Sequence, residues 1–364
     1  MLFTEVISSF RSTHNRKGTG AQRPGEKMEA NAMVRSANPA GRILTLGELL
    51  VDLIPLEDGG RIAAPGAVLK TASGSAGICA CAAALLGARS GFLGKVGVDA
   101  LSRMVYDTLV EAGVDCSRVV VSPEGQIGLA FLEYLPDGRR NYQYYRSGSV
   151  GSRYAAQDLD RAYLAGAYAL HFPGMLLELS EPMREASMEA ARLAREAGVL
   201  VSFDPNLRVE LGRSAEAEAR MMRALSLADV IAPTLEEGRA ITGRRSVGDV
   251  LRALHALGPS VVALTRDKDG AVLSIGGQVA LCGGIDVPVA DPTGAGDTFD
   301  AALLVALQRG MALEQAALFA NCAGTLAVTR RGAIGMALPT REQVEALMMQ
   351  QPCTVERVRL EELE

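Results

Sequence analysis

From Gly41 onward the sequence alternates short apolar runs with amphipathic ones, and few architectures accommodate that rhythm. "RILTLGE", "SGFLGKVG", "AYALHF", "VLVSFD", "DVIAP" and "SVVALT" are strand-like. Helical periods lie between them in "GICACAAALLGA", closed by Gly87, in "DALSRMVYDTLVEAGV", and over residues 181–196, 215–225 and 235–255, the last in two pieces. This order predicts a mostly parallel sheet with helices on both faces and ligands at the C-terminal ends of its strands.

Two stretches break the rhythm. "LLVDLIP", from Leu49, and residues 127–146 alternate like half-exposed antiparallel strands, with Pro136-Asp137-Gly138 as a turn signal. They predict either a small sheet acting as a lid or an extra hairpin on the main sheet. Residues 1–40 are polar and lack a hydrophobic period, which predicts a disordered tail, and 351–364 read as a second tail.

The formal charge of -5 gives no field that would gather nucleic acid or an anionic membrane surface. No apolar run suits a membrane span, and the first residues lack the order of a secretory signal, so a cytoplasmic location is expected. The six cysteines form no C-x-x-C pair and read as small buried hydrophobes. Of three histidines, His14 falls in the expected tail, while His171 and His255 sit in strand-like and helix-like runs where structural roles are usual. Small molecules are the partners this composition favours.

The chemistry concentrates in "VADPTGAGDTFDAALL", read as a short strand, a glycine turn and a helix from about Ala295. No lysine follows the glycines, which excludes a Walker loop, and Phe299 occupies the third small position of a dinucleotide fingerprint. What remains is a helix mouth where the N–H groups of Ala295, Gly296 and Asp297 can face an anion. Asp297 is then either a cap for its own helix or a base beside a bound phosphate, and the residues alone leave both open.

That segment closely resembles the C-terminal signature of the ribokinase-like (PfkB-type) carbohydrate kinases. The likeness runs from residue 41 to about 350 and takes in "GELLVDLIP", "LLGARSGFLGKVGVDALSRMVYDTLVEAGVD" and "AVTRRGAIGMALPT". The resemblance implies a three-layer α/β/α core with a β-sheet lid from about 49–72 and 127–148, and ATP-dependent phosphorylation of a sugar hydroxyl. It implies Asp297 as general base and Gly294, Ala295 and Gly296 as the anion hole. ATP and Mg²⁺ follow as cofactors, and the resemblance admits K⁺ and a homodimer through the lid.

Several positions depart from the family pattern. In "APTLEEGRAITG", Glu237 matches the acid that places Mg²⁺ through water, whereas Thr234 replaces an Asn; without the resemblance, Glu236 and Glu237 are simply first-turn acids. In "TRDKDGAVL", Thr265 and Gly270 fit the nucleotide turn, but Asp267 stands for a glycine. Asn321 resembles an adenine-site contact, and Asn206 in "FDPNLRVELG" falls in a D-x-N-x-R segment assigned to the same cofactor side. In "SGSAGICACAAALLGA", Gly74 is kept on the sugar side, while Ser73 replaces a glycine and Ile78 an Asn that would bind hydroxyls.

The lid sequence, with Tyr144 and Arg146 in a Y-Y-R run, is similar to that of 2-keto-3-deoxygluconate kinases. Arg146 and Arg208 together suit a sugar-acid carboxylate, which makes that keto-sugar acid the expected substrate. Asp52 resembles the hydroxyl-binding acid of fructokinases, so fructose is the alternative. The departures also allow a sugar- and nucleotide-binding regulator with weak transfer, although such a protein has no need of Asp297.

Overall fold

The computed structural model describes residues 36–56, 60–135, 140–207, 214–335 and 337–364. Among them, ten strands form the main sheet: β1 (Arg42–Leu46), β4 (Ser90–Val96), β5 (Val119–Val121), β8 (Ala167–Pro173), β9 (Leu200–Asp204), β10 (Val230–Ile231), β11 (Val261–Thr265), β12 (Ala271–Ile275), β13 (Gln278–Cys282) and β14 (Val355–Arg359). Their spatial order is β14-β13-β12-β11-β10-β9-β8-β1-β4-β5. From β5 to β11 neighbours are parallel; from β11 to β14 they are antiparallel. A second sheet, of order β3-β2-β6-β7, consists of β2 (Leu50–Pro55), β3 (Val68–Ser73), β6 (Gly128–Tyr134) and β7 (Arg140–Tyr145). It is the lid.

The described helices are α1 (Ser75–Leu85), α2 (Ala100–Glu111), α3 (Arg161–Ala165), α4 (Leu176–Leu179), α5 (Glu181–Glu196), α6 (Ala215–Leu227), α7 (Leu235–Thr242), α8 (Val247–His255), α9 (Ala295–Gln308), α10 (Leu313–Ala327) and α11 (Arg341–Met349). Successive strand residues feed opposite faces of the sheet, as the two-residue pleat demands. Ile43, Ala169 and Ala263 join the core under α1, α9 and α10, while Leu44, Leu170 and Leu264 join the one under α5, α6 and α8. That gives the three layers. α5 buries one stripe, Met183, Ala186, Ala190, Ala191 and Ala194, and starts where the Ser180 hydroxyl accepts the Met183 N–H, with a proline in its first turn. α1 is apolar nearly all round, because it lies between the sheet and α9.

Three expectations fail at the edges. Residues 351–364 are not a loose tail: Val355–Arg359 pairs antiparallel with β13, and its alternating, largely exposed "VERVR" looks polar only because it is an edge strand. Within the expected N-terminal tail, Ala37 N–H donates to Gly198 O at 2.8 Å and Asn38 Nδ2 to Gly166 O, so residues 36–40 pack on the core. Residues 1–35 lie outside the described residues. The strand expected at Val289 and Ala290 is an extended loop without a sheet partner; the N–H groups of Ala290 and Asp291 both donate to Val328 O at the end of α10.

Among the described residues, no helix is long and apolar enough to cross a membrane. All six cysteines are free and five are buried, and both His171 and His255 bond to serines on neighbouring strands.

Candidate active site

The C-terminal ends of the parallel strands line one edge of the sheet. Asp204 ends β9, Thr234 follows β10 and Thr265 ends β11, with Thr234 and Thr265 paired by an isolated bridge. α9 points its N-terminus into this row. Its N-cap is Gly294, in the left-handed region at φ +78°, where a β-carbon is disfavoured. The first ladder bond runs from Thr298 N to Gly294 O, so the N–H groups of Ala295, Gly296 and Asp297 precede the ladder at the positive helix end. A Cβ built on Gly296 would meet nothing within 4 Å, which leaves room for an anion beside those donors.

Asp291 ties the turn down. It is fully buried, with Oδ1 accepting from Thr293 N at 2.9 Å and Oδ2 from Gly332 N at 3.0 Å. Asp297 is in the first turn of α9 and is not its N-cap; Ser75 Oγ, at the start of α1, donates to its Oδ1 at 2.5 Å. Three further acids, Asp204, Glu237 and Asp300, crowd behind it. Burial, then Glu237 and Asp297, push the Asp204 carboxyl well above its usual range, and burial, then Asp204, Asp297 and Glu237, do the same to Asp300.

Glu237 is buried near the start of α7. Its Oε2 accepts from Thr234 N and Oγ1, at 2.7 and 2.9 Å, and its Oε1 from Leu207 N. Thr234, the family's missing Asn, thus forms a capping box that holds the acid in place. With both oxygens already accepting, Glu237 suits a water-mediated rather than a chelating contact to a metal. Among the described residues no group of three His, Cys, Asp or Glu could hold a metal ion.

The lid approaches the same turn. Asp52 on β2 is 2% exposed; burial raises its pKa to about 6, opposed by a Ser73 hydrogen bond and helped by Asp291. Arg146 bonds the buried Glu48 carboxylate, and its guanidinium lies 4.5 Å from the centre of the Tyr144 ring. Tyr144 stacks on Tyr142 at 5.5 Å, and the Tyr142 hydroxyl stands 3.5 Å from Thr293 Oγ1. The Arg146 charge, expected to serve a substrate carboxylate, is thus matched by Glu48 inside the protein. Arg208 lies outside the described residues.

Among the residues expected on the nucleotide side, Asp267 adopts φ +54°, the left-handed form its glycine-like position requires. Gly270 is obligatory, because a Cβ there would lie 2.3 Å from Cys282 O. Asn206, at φ +43°, donates its N–H to Asp204 Oδ1, and the buried Asn321 gives its amide to Gly283 O at 2.9 Å and Cys282 Sγ at 3.3 Å. Gly74 caps α1 at φ +114°. The sequence reading missed Ser75, Glu48 and Tyr142 as site residues; all three lie in segments it singled out, but each has its partner far along the chain.

A helix-mouth anion turn with an acid beside it, on the C-terminal edge of a doubly wound sheet and under a β-lid, defines a ribokinase-like kinase. The model of the pfkB family carbohydrate kinases matches residues 40–341, and the chain belongs to that family. It is an ATP-dependent sugar kinase. It is 32% identical to probable fructokinase-5 of Arabidopsis thaliana over 84% of this chain and 97% of that one. It is 33% identical to fructokinase-1 of Oryza sativa subsp. japonica over 85% and 99%.

Solved structures agree in fold. A putative ribokinase II of E. coli in complex with ATP and Mg²⁺ superposes with a TM-score of 0.80 at 27% identity, over 85% of this chain and 99% of that one. A fructokinase double mutant of Vibrio cholerae in fructose, ADP and potassium ion bound form gives 0.73 at 29%, over 85% and 99%. The 2-dehydro-3-deoxygluconokinase of Thermotoga maritima gives 0.78 at 24%, over 85% and 99%, a likeness of fold alone.

Proposed function

We propose that this kinase phosphorylates fructose, with Asp297 as general base on the attacking hydroxyl and the N–H groups of Ala295, Gly296 and Asp297 receiving the transferred phosphoryl group. The choice of a neutral sugar over 2-keto-3-deoxygluconate rests on one observation, the bond between Arg146 and Glu48. A guanidinium already neutralised by a buried carboxylate has little left for a substrate carboxylate. Asp52, an acceptor facing the turn from the lid, suits hydroxyl donors instead, and the fructokinase relatives support the same reading.

Phosphoryl transfer depends chiefly on alignment and charge neutralisation. Asp297 takes the hydroxyl proton, the α9 dipole steadies the phosphoryl oxygens, and the lid limits water. Glu237 would help hold Mg²⁺ through water, and the ion would supply charge neutralisation for the phosphates. The likeness to a potassium-bound fructokinase supports K⁺ as a further cofactor.

The test is ATP consumption against fructose, 2-keto-3-deoxygluconate, ribose, tagatose and common nucleosides. Fructose should give the highest kcat/KM; a clear lead for the keto-sugar acid would overturn the assignment.

A further inference from the structure

The first turns of α1 and α9 meet at two points. A Cβ built on Gly294 would lie 3.1 Å from Ile78 Cγ2, so the glycine turn rests against that side chain. Three residues before Ile78, Ser75 Oγ donates to Asp297 Oδ1, and Asp297 is itself three residues after Gly294. Residues three apart share a helix face, so one face of α1 engages one face of α9, with an apolar contact and a polar one. Ile78, which cannot read a hydroxyl, here serves as the seat of the anion turn.

Ser75 has little freedom. Gly74 holds φ +114° with its would-be Cβ 2.5 Å from Glu48 O, and a Cβ on Gly77 would lie 2.6 Å from Leu49 Cδ2. The start of α1 is thus pressed against the loop between β1 and β2, and the backbone fixes the serine hydroxyl.

We propose that Ser75 is a positioning residue for Asp297, holding its carboxylate toward the acceptor hydroxyl and away from the anion turn. The proposal rests on Asp297 being the base. An acid in a first helical turn is drawn toward that turn's own N–H groups, where it would compete with the incoming phosphoryl oxygens. A charge-assisted bond from a second helix opposes that pull. Ser75 bonds the Asp297 carboxylate and works through its geometry.

The test compares Ser75→Ala, Ser75→Thr and Asp297→Asn in the full chain, using ATP with the best acceptor of the sugar panel and recording Tm alongside. Ser75→Ala should lower kcat by about 10- to 100-fold, the scale of one hydrogen bond to a charged group, with both KM values within about threefold. Its Tm should stay within a few degrees of the parent, and Ser75→Thr, which keeps the hydroxyl, should recover most of the lost kcat. If Asp297→Asn is inactive while Ser75→Ala turns over like the parent, the positioning role is wrong and the base stands. A loss expressed in KM alone, or a threonine no better than alanine, overturns it as well. Near-parent turnover by Asp297→Asn removes the base and this proposal together.

Discussion

Arg146 on the lid side is bonded to Glu48, a carboxylate buried at the end of the first core strand, so the lid is fastened to the core by matched charges. Burial alone raises the pKa of Glu48, and the charge and hydrogen bond of Arg146 oppose that rise. Isolated charges of this kind are costly to leave unmatched.

Arg146→Ala should therefore destabilise the protein by about 3 kcal/mol at pH 8, where Glu48 must either stay charged without its partner or take up a proton. The loss should shrink near pH 5, where protonation of Glu48 is easier. It should weaken turnover of neutral sugars and sugar acids alike. Urea melts at the two pH values check the first part, and a pH-independent change below about 0.5 kcal/mol would show that the pair contributes nothing.

Asp297→Asn should leave nucleotide affinity close to the parent while kcat falls by roughly a hundredfold or more, the scale of a lost general base. Steady-state kinetics with an ATP-binding titration separate the two. Turnover close to the parent would return Asp297 to a structural role.

Asp52 gives a stability test with a definite sign. Its folded pKa of about 6 lies above the ordinary aspartate value of 3.8, so the folded state holds the extra proton between those pH values. Stability from this group is full below about pH 4 and is lost as pH rises through 6. Asp52→Asn should then be more stable than the parent at pH 8, by on the order of 2 kcal/mol, and no more stable at pH 4. Its KM for sugar should rise. An equal effect on stability at both pH values would mean that the carboxyl is not held in its neutral form by burial.

Glu237→Gln should raise the Mg²⁺ concentration needed for half-maximal rate, by about tenfold, with kcat at saturating Mg²⁺ less affected. It should also cost about 1 kcal/mol of stability: the glutamine oxygen can keep the capping box with Thr234, but its NH2 cannot accept from the Leu207 N–H, so that bond is lost. An unchanged Mg²⁺ curve would leave Glu237 with the cap alone.

Local chemistry was the legible part of the sequence. α5 was expected over 181–196 and α9 from Ala295, and both start there, because a serine cap, a proline and a glycine turn each act within a few residues. The glycine turn at Gly294 was legible for the same reason. What the sequence concealed depends on distant partners: Ser75 and Asp297 are 222 positions apart, and Arg146 and Glu48 are 98. Nothing near Arg146 in the sequence pointed to Glu48 as its partner. β14 was hidden because a strand with one free edge keeps charged residues and so lacks the apolar run by which buried strands announce themselves.

That edge strand has a consequence for the behaviour of the protein in concentrated solution. A wide open sheet presents backbone donors and acceptors at its margins, and another molecule can extend it there. One margin here is β5, only three residues long. The other, β14, displays Glu356, Arg357 and Arg359, with Arg357 engaged by Glu314 and Arg359 by Glu361 and Glu362. Shortness guards one side and charge the other, so the same residues that disguise the last strand also discourage aggregation through it.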